Sequence, residues 1–371
     1  MTVAAYAIFF VYTIALIYIT VYCLMQFNLL YFYKKHHWRE RAFEEKLPEI
    51  PDRELPFVTI QLPIFNELYV VERLIDNITQ LDYPKDRFEI HVLDDSTDET
   101  IEITRRKVEQ YQAKGFQIQQ IRRKDRKGYK AGALKDAMQY ANGDFIAIFD
   151  ADFLPRRNFL KATIPHFSNE KVGVVQTRWE HINQNYSLIT RLQALQLNVH
   201  FTIEQQGRKA ANCMLQFNGT AGVWRREAIE SAGGWQSDTL TEDFDLSYRA
   251  QLAGWRIQML PDLVAPAELP DTLPAYRRQQ RRWAMGTVQV LRKLGRALLS
   301  ADRPIPVRLL ALLTLAGYLV HPVMLALLLG APLLLIWPPV FPAGLSLLTL
   351  APLCPPILYA VGLCRVEPGW R

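Results

Sequence analysis

The stretch DFIAIFDAD, residues 144–152, decides how the chain is read. Its first six residues, Asp144 followed by the apolar run FIAIF, have the length and composition of a buried strand. Its last three place Asp150 and Asp152 at the carboxyl end of that strand. The same pattern recurs upstream. FVTIQL (57–62) is followed by PIFNE, which ends in Glu67, and FEIHVL (88–93) is followed by Asp94 and Asp95. Helical patterns separate these runs, near 68–80, from about Glu99 and over 130–141. GFQIQQI (115–121) and VGVVQ (172–176) supply two further strands, and 186–206 reads as helical. Ser96, with Glu99 three positions on, reads as a capping box. Strands alternating with helices predict an α/β, Rossmann-like domain with a mainly parallel, doubly wound sheet.

In open sheets of this kind ligands bind beyond the carboxyl ends of the strands. Glu67, Asp95, Asp150 and Asp152 therefore converge on one edge. A single Asp there is explained by a turn or a helix cap. Acidic residues after three strands call for a cation, because like charges held together repel. No His or Cys accompanies them, so hard Mg2+ or Mn2+ is expected, with Asp150 and Asp152 as ligands. Such ions bind one or two carboxylates plus substrate phosphates, which points to a phosphorylated substrate. GxGxxG and GxxxxGK[ST] are both absent, which argues against a dinucleotide cofactor and a P-loop. A sugar nucleotide fits, with the cation on its diphosphate and carboxylates around base and ribose.

Three later segments carry further candidates. LTEDFDLSYRAQLAGW (240–255) opens with Thr241 as a helix cap, and Glu242, Asp243 and Asp245 suit the dipole of the first turn. That accounts for Glu242 without any chemistry. FNGTAG (217–222) has the glycines of a turn that approaches a ligand closely, and composition alone fits a surface turn as well. In YRRQQRRWAMG (276–286), Gln279, Arg282 and Trp283 share one helical face. Arginine can grip a diphosphate bidentately and an indole can stack on a sugar. Anchoring of an interfacial helix to lipid explains the same residue types equally well.

Half of the 371 residues are apolar and the net charge is +6. The run 3–33 holds no charged residue, and a membrane span needs about 20 apolar residues. It lacks a basic start and a small-residue cleavage site, so a cleaved signal peptide fits poorly. Two more apolar runs, 309–337 (interrupted by Pro322 and Pro332) and 340–364, read as a hairpin of two spans. Lys34, Lys35, Arg39, Arg41, Arg303, Arg308 and Arg365 fall on one side of three spans, which makes that side cytoplasmic and the N-terminus external. The expected organisation is a transmembrane helix (1–33), a linker (34–55), a cytosolic domain (56–275), a basic amphipathic interfacial region (276–307) and a transmembrane hairpin (308–371). The basic excess lies in these flanks and in RRKDRKGYK (122–130), with no nucleic-acid-binding module beside it, so no nucleic-acid partner is expected. Cys23, Cys213, Cys354 and Cys364 form no CxxC pair and indicate neither a disulfide framework nor a zinc site.

Asp95, DAD, TED and QQRRW, in this order, resemble the D, DxD, TED, QxxRW series of processive family-2 glycosyltransferases. These belong to the cellulose synthase-like superfamily, with the cellulose, chitin and hyaluronan synthases. The resemblance covers about residues 56–290, and FNGTAGVWR (217–225) and HFTIEQQGR (200–208) look most like the plant mannan and xyloglucan-backbone synthase branch and its bacterial relatives. It implies an inverting, metal-dependent hexosyltransferase that adds glucose from UDP-glucose or mannose from GDP-mannose to a growing β-linked polysaccharide. By position, Asp95, Lys130, Asp150, Arg282 and Glu67 would hold the donor, and Asp150 and Asp152 the metal. Asp243 would be the general base, and Gln279 and Trp283, with Glu242, would meet the acceptor. Transfer of one sugar to a lipid, as in ceramide glucosyltransferases, is a second reading, and an inactive scaffold subunit a third. Membrane lipids are implied as partners in a bacterial cytoplasmic membrane. A homo-oligomer or a complex with other envelope-polysaccharide proteins is left open. Cellulose synthases usually carry more spans after the catalytic domain than the two expected here, so either this is a compact relative or its C-terminus is incomplete, and a wide channel from one copy is not expected. FNGTAG departs from the cellulose synthase form of that motif, which leaves the acceptor open.

Overall fold

A computed structural model of the chain describes residues 3–40, 47–336, 348 and 350–366. The chain divides into two compact units, one of Met1–Phe43, Leu195–Cys213 and Leu291–Arg371, the other of Glu44–Ala194 and Met214–Val290. Helix α1 (Val3–Glu40) opens the first unit. The second then runs β1 (Val58–Ile64), α2 (Val71–Ile78), β2 (Phe88–Asp94), α3 (Thr100–Gln112), β3 (Ile118–Ile121), α4 (Tyr129–Ala137), β4 (Phe145–Ile148), α5 (Phe159–Thr163) and β5 (Val172–His181). After α6 (Leu188–Val199), a π-helical turn (His200–Glu204) and α7 (Gln205–Ala210), the sheet resumes with β6 (Gly222–Arg225). Helices α8 (Arg226–Ser231) and α9 (Glu242–Leu252), strand β7 (Arg256–Ala267) and the long helix α10 (Leu273–Ser300) follow.

The seven strands form one sheet in the order β3-β2-β1-β4-β6-β5-β7. Neighbours are parallel except β6, which runs against both β4 and β5. Both faces are covered, so β4 is a continuous apolar run, while β1 and β2 also bury Thr59, Gln61, Glu89 and His91, with Thr59 Oγ1 donating to Glu89 Oε1 at 2.6 Å. Ile60, Leu62, Val92 and Ala147 pack under α2 and α3 with Leu74, Ile75 and Val108. Alternate residues Leu93, Ile146 and Ile148 meet Leu134, Ile229 and Leu246 from α4, α8 and α9. The chain proceeds outward from β1 to β3, then returns to place β4 on the other side of β1. That reversal puts a topological switch point at the carboxyl ends of β1 and β4, where open sheets of this kind bind ligands.

Strands β6 and β7 are absent from the sequence-based expectation. The first has only four residues, and the second carries Pro261 and Pro266, which argue against a strand interior. β7 tolerates them because it is a sheet edge with shifted register near Thr177–Arg178. The capping box also fails. Helix α3 begins at Thr100, whose N–H donates to Asp98 Oδ1 at 3.0 Å, while Ser96 Oγ accepts the N–H of Asn66 at 2.9 Å.

In the other unit, Leu30 and Tyr33 of α1 pack with Val199, Ile203 and Leu358, and Ile19 and Cys23 pack with Ala351. The apolar run from residue 309 is split between α11 (Ile305–Leu315) and α12 (Val320–Ile336) by a 3-10 turn at Gly317–Leu319. Pro322 lies in the first turn of α12, where no backbone donor is lost, and Pro332 lies inside it. Among the described residues, two stretches are long and apolar enough to cross a membrane by length and composition, Tyr6–Lys35 and Gly317–Leu334. Of the expected third span, 340–347 and 349 lie outside the described residues, as does Arg41, and its described part ends in α13 (Cys354–Val366).

Candidate active site

Asp94 and Asp95 have separate fates. Asp94 is buried and accepts hydrogen bonds from the Ser96 N–H (2.9 Å) and Gln120 Nε2 (2.6 Å), which closes the end of β2. Asp95 faces Arg123, which donates to it through Nε (3.0 Å) and Nη2 (2.5 Å). The same guanidinium donates to Asp136 (3.2 Å) and to the carbonyls of Lys127 (3.0 Å) and Tyr129 (3.1 Å). Arg123 thus ties Asp95 to the loop that leads into α4. The sequence hid it in the basic run 122–130, where it read as surplus charge.

That loop delivers Lys130, whose Nζ donates to Asp150 Oδ1 (2.5 Å) and to the carbonyl of Gly219 (2.9 Å). Burial works against the Lys130 charge, but Asp150 and Glu242 outweigh it and hold the ammonium above its ordinary range. Gly219 has φ +84°, and a Cβ there would lie 2.9 Å from Asp243 Oδ2. One lysine therefore links the DAD segment to a turn that lies directly on the TED aspartate.

The FNGTAG turn is an interior structure. Buried Gln176 donates from Nε2 to the carbonyls of Thr220 (3.1 Å) and Ala221 (3.0 Å), and its Oε1 accepts the N–H of Asn218 at 2.8 Å. Thr220 Oγ1 accepts the N–H of Asp150 at 2.9 Å, and Ser247 Oγ accepts that of Phe217 at 2.8 Å. The turn is thus bonded to β5, to the end of β4 and to α9.

The carboxylates of α9 also divide. Asp245 is fully buried and accepts from Arg249 Nε at 2.8 Å, and Arg249 also holds the carbonyls of Ala232 and Gly234. Asp243 is half-buried, and burial, then the Glu242 charge, push its carboxyl up to about 7 against Lys130 and Arg282. Thr241 occupies the N-cap position with no side-chain capping bond, contrary to expectation. Its backbone φ of −129° and ψ of 73° accompany a side chain packed against α10.

Asp152 is also pushed up to about 7, first by burial, then by the charges of Asp150 and Glu67. Glu67 is raised by burial and by Asp150 and Asp98. Among the described residues no three Asp, Glu, His or Cys side chains form a ready cation cage. Asp150 and Asp152 still present the hard oxygens that Mg2+ or Mn2+ accept when phosphates complete the shell. On α10, Arg282 is exposed and within electrostatic reach of Asp243. Gln279 and Trp283 are half-buried, and among the described residues no hydrogen bond or ring contact joins them to the acidic set.

A mainly parallel sheet with acidic side chains at the carboxyl ends of β1, β2 and β4 defines a GT-A-like fold. The chain belongs to the glycosyltransferase like family 2, whose family model matches residues 56–286. It is 44% identical over 252 residues to glucomannan 4-beta-mannosyltransferase 1 of Oryza sativa subsp. japonica, covering 67% of this chain and 48% of that protein. Over 252 residues it is 43% identical to glucomannan 4-beta-mannosyltransferase 9 of Arabidopsis thaliana, covering 67% and 47%. The chain spans about half the length of the curated relatives it matches. These relatives lie in the plant branch that FNGTAGVWR and HFTIEQQGR resemble. The solved mannosyltransferase PcManGT from Pyrobaculum calidifontis, in complex with GDP-Man and Mn2+, aligns with a TM-score of 0.61 at 25% identity, over 94% of this chain and 98% of that one.

Proposed function

We propose that the protein is a membrane-bound inverting glycosyltransferase that moves mannose from GDP-mannose onto the hydroxyl of a growing β-linked glycan. Support for mannose comes from the similarity to glucomannan mannosyltransferases and to a mannosyltransferase solved with GDP-Man. The observation that carries the reading is the Lys130 bridge, which brings Asp150 and the Gly219 turn together beside Asp243. In this reading Asp243 takes the acceptor proton as the hydroxyl oxygen attacks the anomeric carbon from the face opposite the diphosphate, so the configuration inverts. A carboxyl held near 7 suits a base working at neutral pH. Arg282 and Lys130 stabilise the charge that grows on the departing nucleoside diphosphate. Glu67 and Asp95 contact the nucleoside, and Gln279, Trp283 and Glu242 border the acceptor. Asp150 and Asp152 would hold a divalent cation, Mg2+ or Mn2+, which neutralises diphosphate charge when bound. The sheet domain lies on the cytosolic side, with Tyr6–Lys35 and Gly317–Leu334 in the bilayer.

The test has two parts. Membranes holding the protein receive labelled GDP-mannose, UDP-glucose or UDP-N-acetylglucosamine, and the product is sized. A ladder from GDP-mannose supports the proposal, and one sugar on a lipid refutes chain growth. Asp243→Asn should lose about 10²–10⁴-fold in turnover while still binding GDP, and retained transfer would refute the role of Asp243.

A further inference from the structure

Helix α10 carries Arg282 but, up to Val290, lies among the residues of the sheet unit, so something must fix its register there. Gly286 is where its backbone meets the TED segment. A Cβ at that position would lie 2.4 Å from Thr241 Cγ2, 2.6 Å from Oγ1 and 2.9 Å from Cβ. Glycine is, after proline, the least favourable residue for a helix interior, so a close approach of this kind is a physical reason for its presence. Thr241 is buried, and its Oγ1 has no hydrogen-bond partner among the described residues. The threonine is therefore a packing surface rather than a cap. Three residues further along α10, Gln289 Oε1 accepts the N–H of Leu240 at 2.8 Å. Arg282, Gly286 and Gln289 stand at i, i+4 and i+7, which is one face of a helix. Leu240 and Thr241 immediately precede Glu242 and Asp243.

We propose that Gly286 and Gln289 are positioning residues that dock the Arg282-bearing face of α10 on the Leu240–Thr241 turn and so set the guanidinium against the Asp243 carboxylate. The inference rests on the roles given above to Asp243 and Arg282. It separates two functions along one helix. Arg282 acts on the reacting diphosphate, and the residues one and two turns later hold it in place. The glycine supplies the close approach, and the glutamine supplies a directional bond that sets rotation about the helix axis.

The consequence is kinetic. A displacement of about 1 Å at a reacting group can cost about 10²-fold in rate. Gln289→Ala should lower kcat for mannose transfer from GDP-mannose by about tenfold or more, with a smaller change in the GDP-mannose KM. Gln289→Glu keeps the accepting oxygen and should recover most of the rate, whereas Gln289→Met, which keeps the packing but has no oxygen acceptor, should not. Gly286→Ala should fall about 10²-fold, and adding Thr241→Ala, which removes Cγ2 and Oγ1, should restore part of it. GDP binding by calorimetry reports whether each variant is folded. Parental kcat in both Gln289→Ala and Gly286→Ala, or a loss confined to KM, overturns the proposal. If Asp243→Asn is inactive while these variants are unaffected, only the docking role falls. If Asp243→Asn is fully active, the reading of the site itself falls.

Discussion

Replacing Glu242 by glutamine should shift the acid limb of the transfer rate toward lower pH. Asp243 sits at about 7 because burial disfavours its charge and Glu242 adds a neighbouring negative charge, with Lys130 and Arg282 pulling the other way. A base must be ionised to act, so activity falls as pH drops through that value. Glutamine keeps the shape of Glu242 and removes its charge, which lowers the Asp243 value by about one unit, or about 1.4 kcal/mol. At pH 6 the parent then has about a tenth of its Asp243 ionised and the variant about half, so the variant retains about fivefold more of its own plateau rate. Arg282→Gln removes an opposing positive charge and should move the limb the other way. The assay is kcat/KM for GDP release from GDP-mannose, since that ratio reports the free enzyme. Each profile is scaled to its own plateau, so a changed affinity of the Glu242 variant for acceptor does not enter. An acid limb that stays in place or moves up in Glu242→Gln would remove Asp243 as the group that titrates.

Asp152→Asn should abolish the part of GDP affinity that depends on Mn2+ and leave the remainder, read by calorimetry with and without the ion. Equal Mn2+ dependence in parent and variant would exclude Asp152 as a ligand. Arg249→Met strands the fully buried Asp245 carboxylate and should cost about 3–5 kcal/mol, seen as a lowered Tm in detergent. Adding Asp245→Asn should recover part of that loss, and an unchanged melt of the single variant would show the pair to be dispensable.

The parts of this fold that could be read from the sequence are those whose burial pattern is local. β1, β2 and β4 are covered on both faces and rich in apolar residues, though only β4 is an unbroken apolar run, since β1 carries Thr59 and Gln61 and β2 carries Glu89 and His91; acidic side chains follow each. β6 and β7 depend on neighbours far along the chain, and nothing in GVWR or in a segment with two prolines announces a partner. Tertiary structure also overrode local motifs. Ser96 and Thr241 have the composition of caps, yet one hydroxyl serves the turn after β1 and the other packs on α10. Arg123 was hidden among like residues, because charge density does not reveal which guanidinium turns inward. Asp243 and Asp245 could have been told apart. They stand about 200° apart on a helix with 3.6 residues per turn, so one faces the core when the other faces the site.

In the proposed reading, Asp152 and Asp243 are two carboxylates that one fold prepares for different work. Both are raised to about 7, and burial is the first cause in each. Their surroundings differ. Asp152 lies near Asp150 and Glu67, opposed by a backbone hydrogen bond and by Lys130. A cation relieves that arrangement better than a proton does, because it answers several charges at once. Asp243 lies beside one acid, Glu242, and is opposed by both Lys130 and Arg282. There the balance is close enough for a single proton to tip it near neutral pH, which is the condition a general base requires. Lys130 contributes to both environments, so removing it should raise the two carboxyls together. That coupling is why the lysine at the start of α4, rather than any one aspartate, holds the electrostatics of the site together.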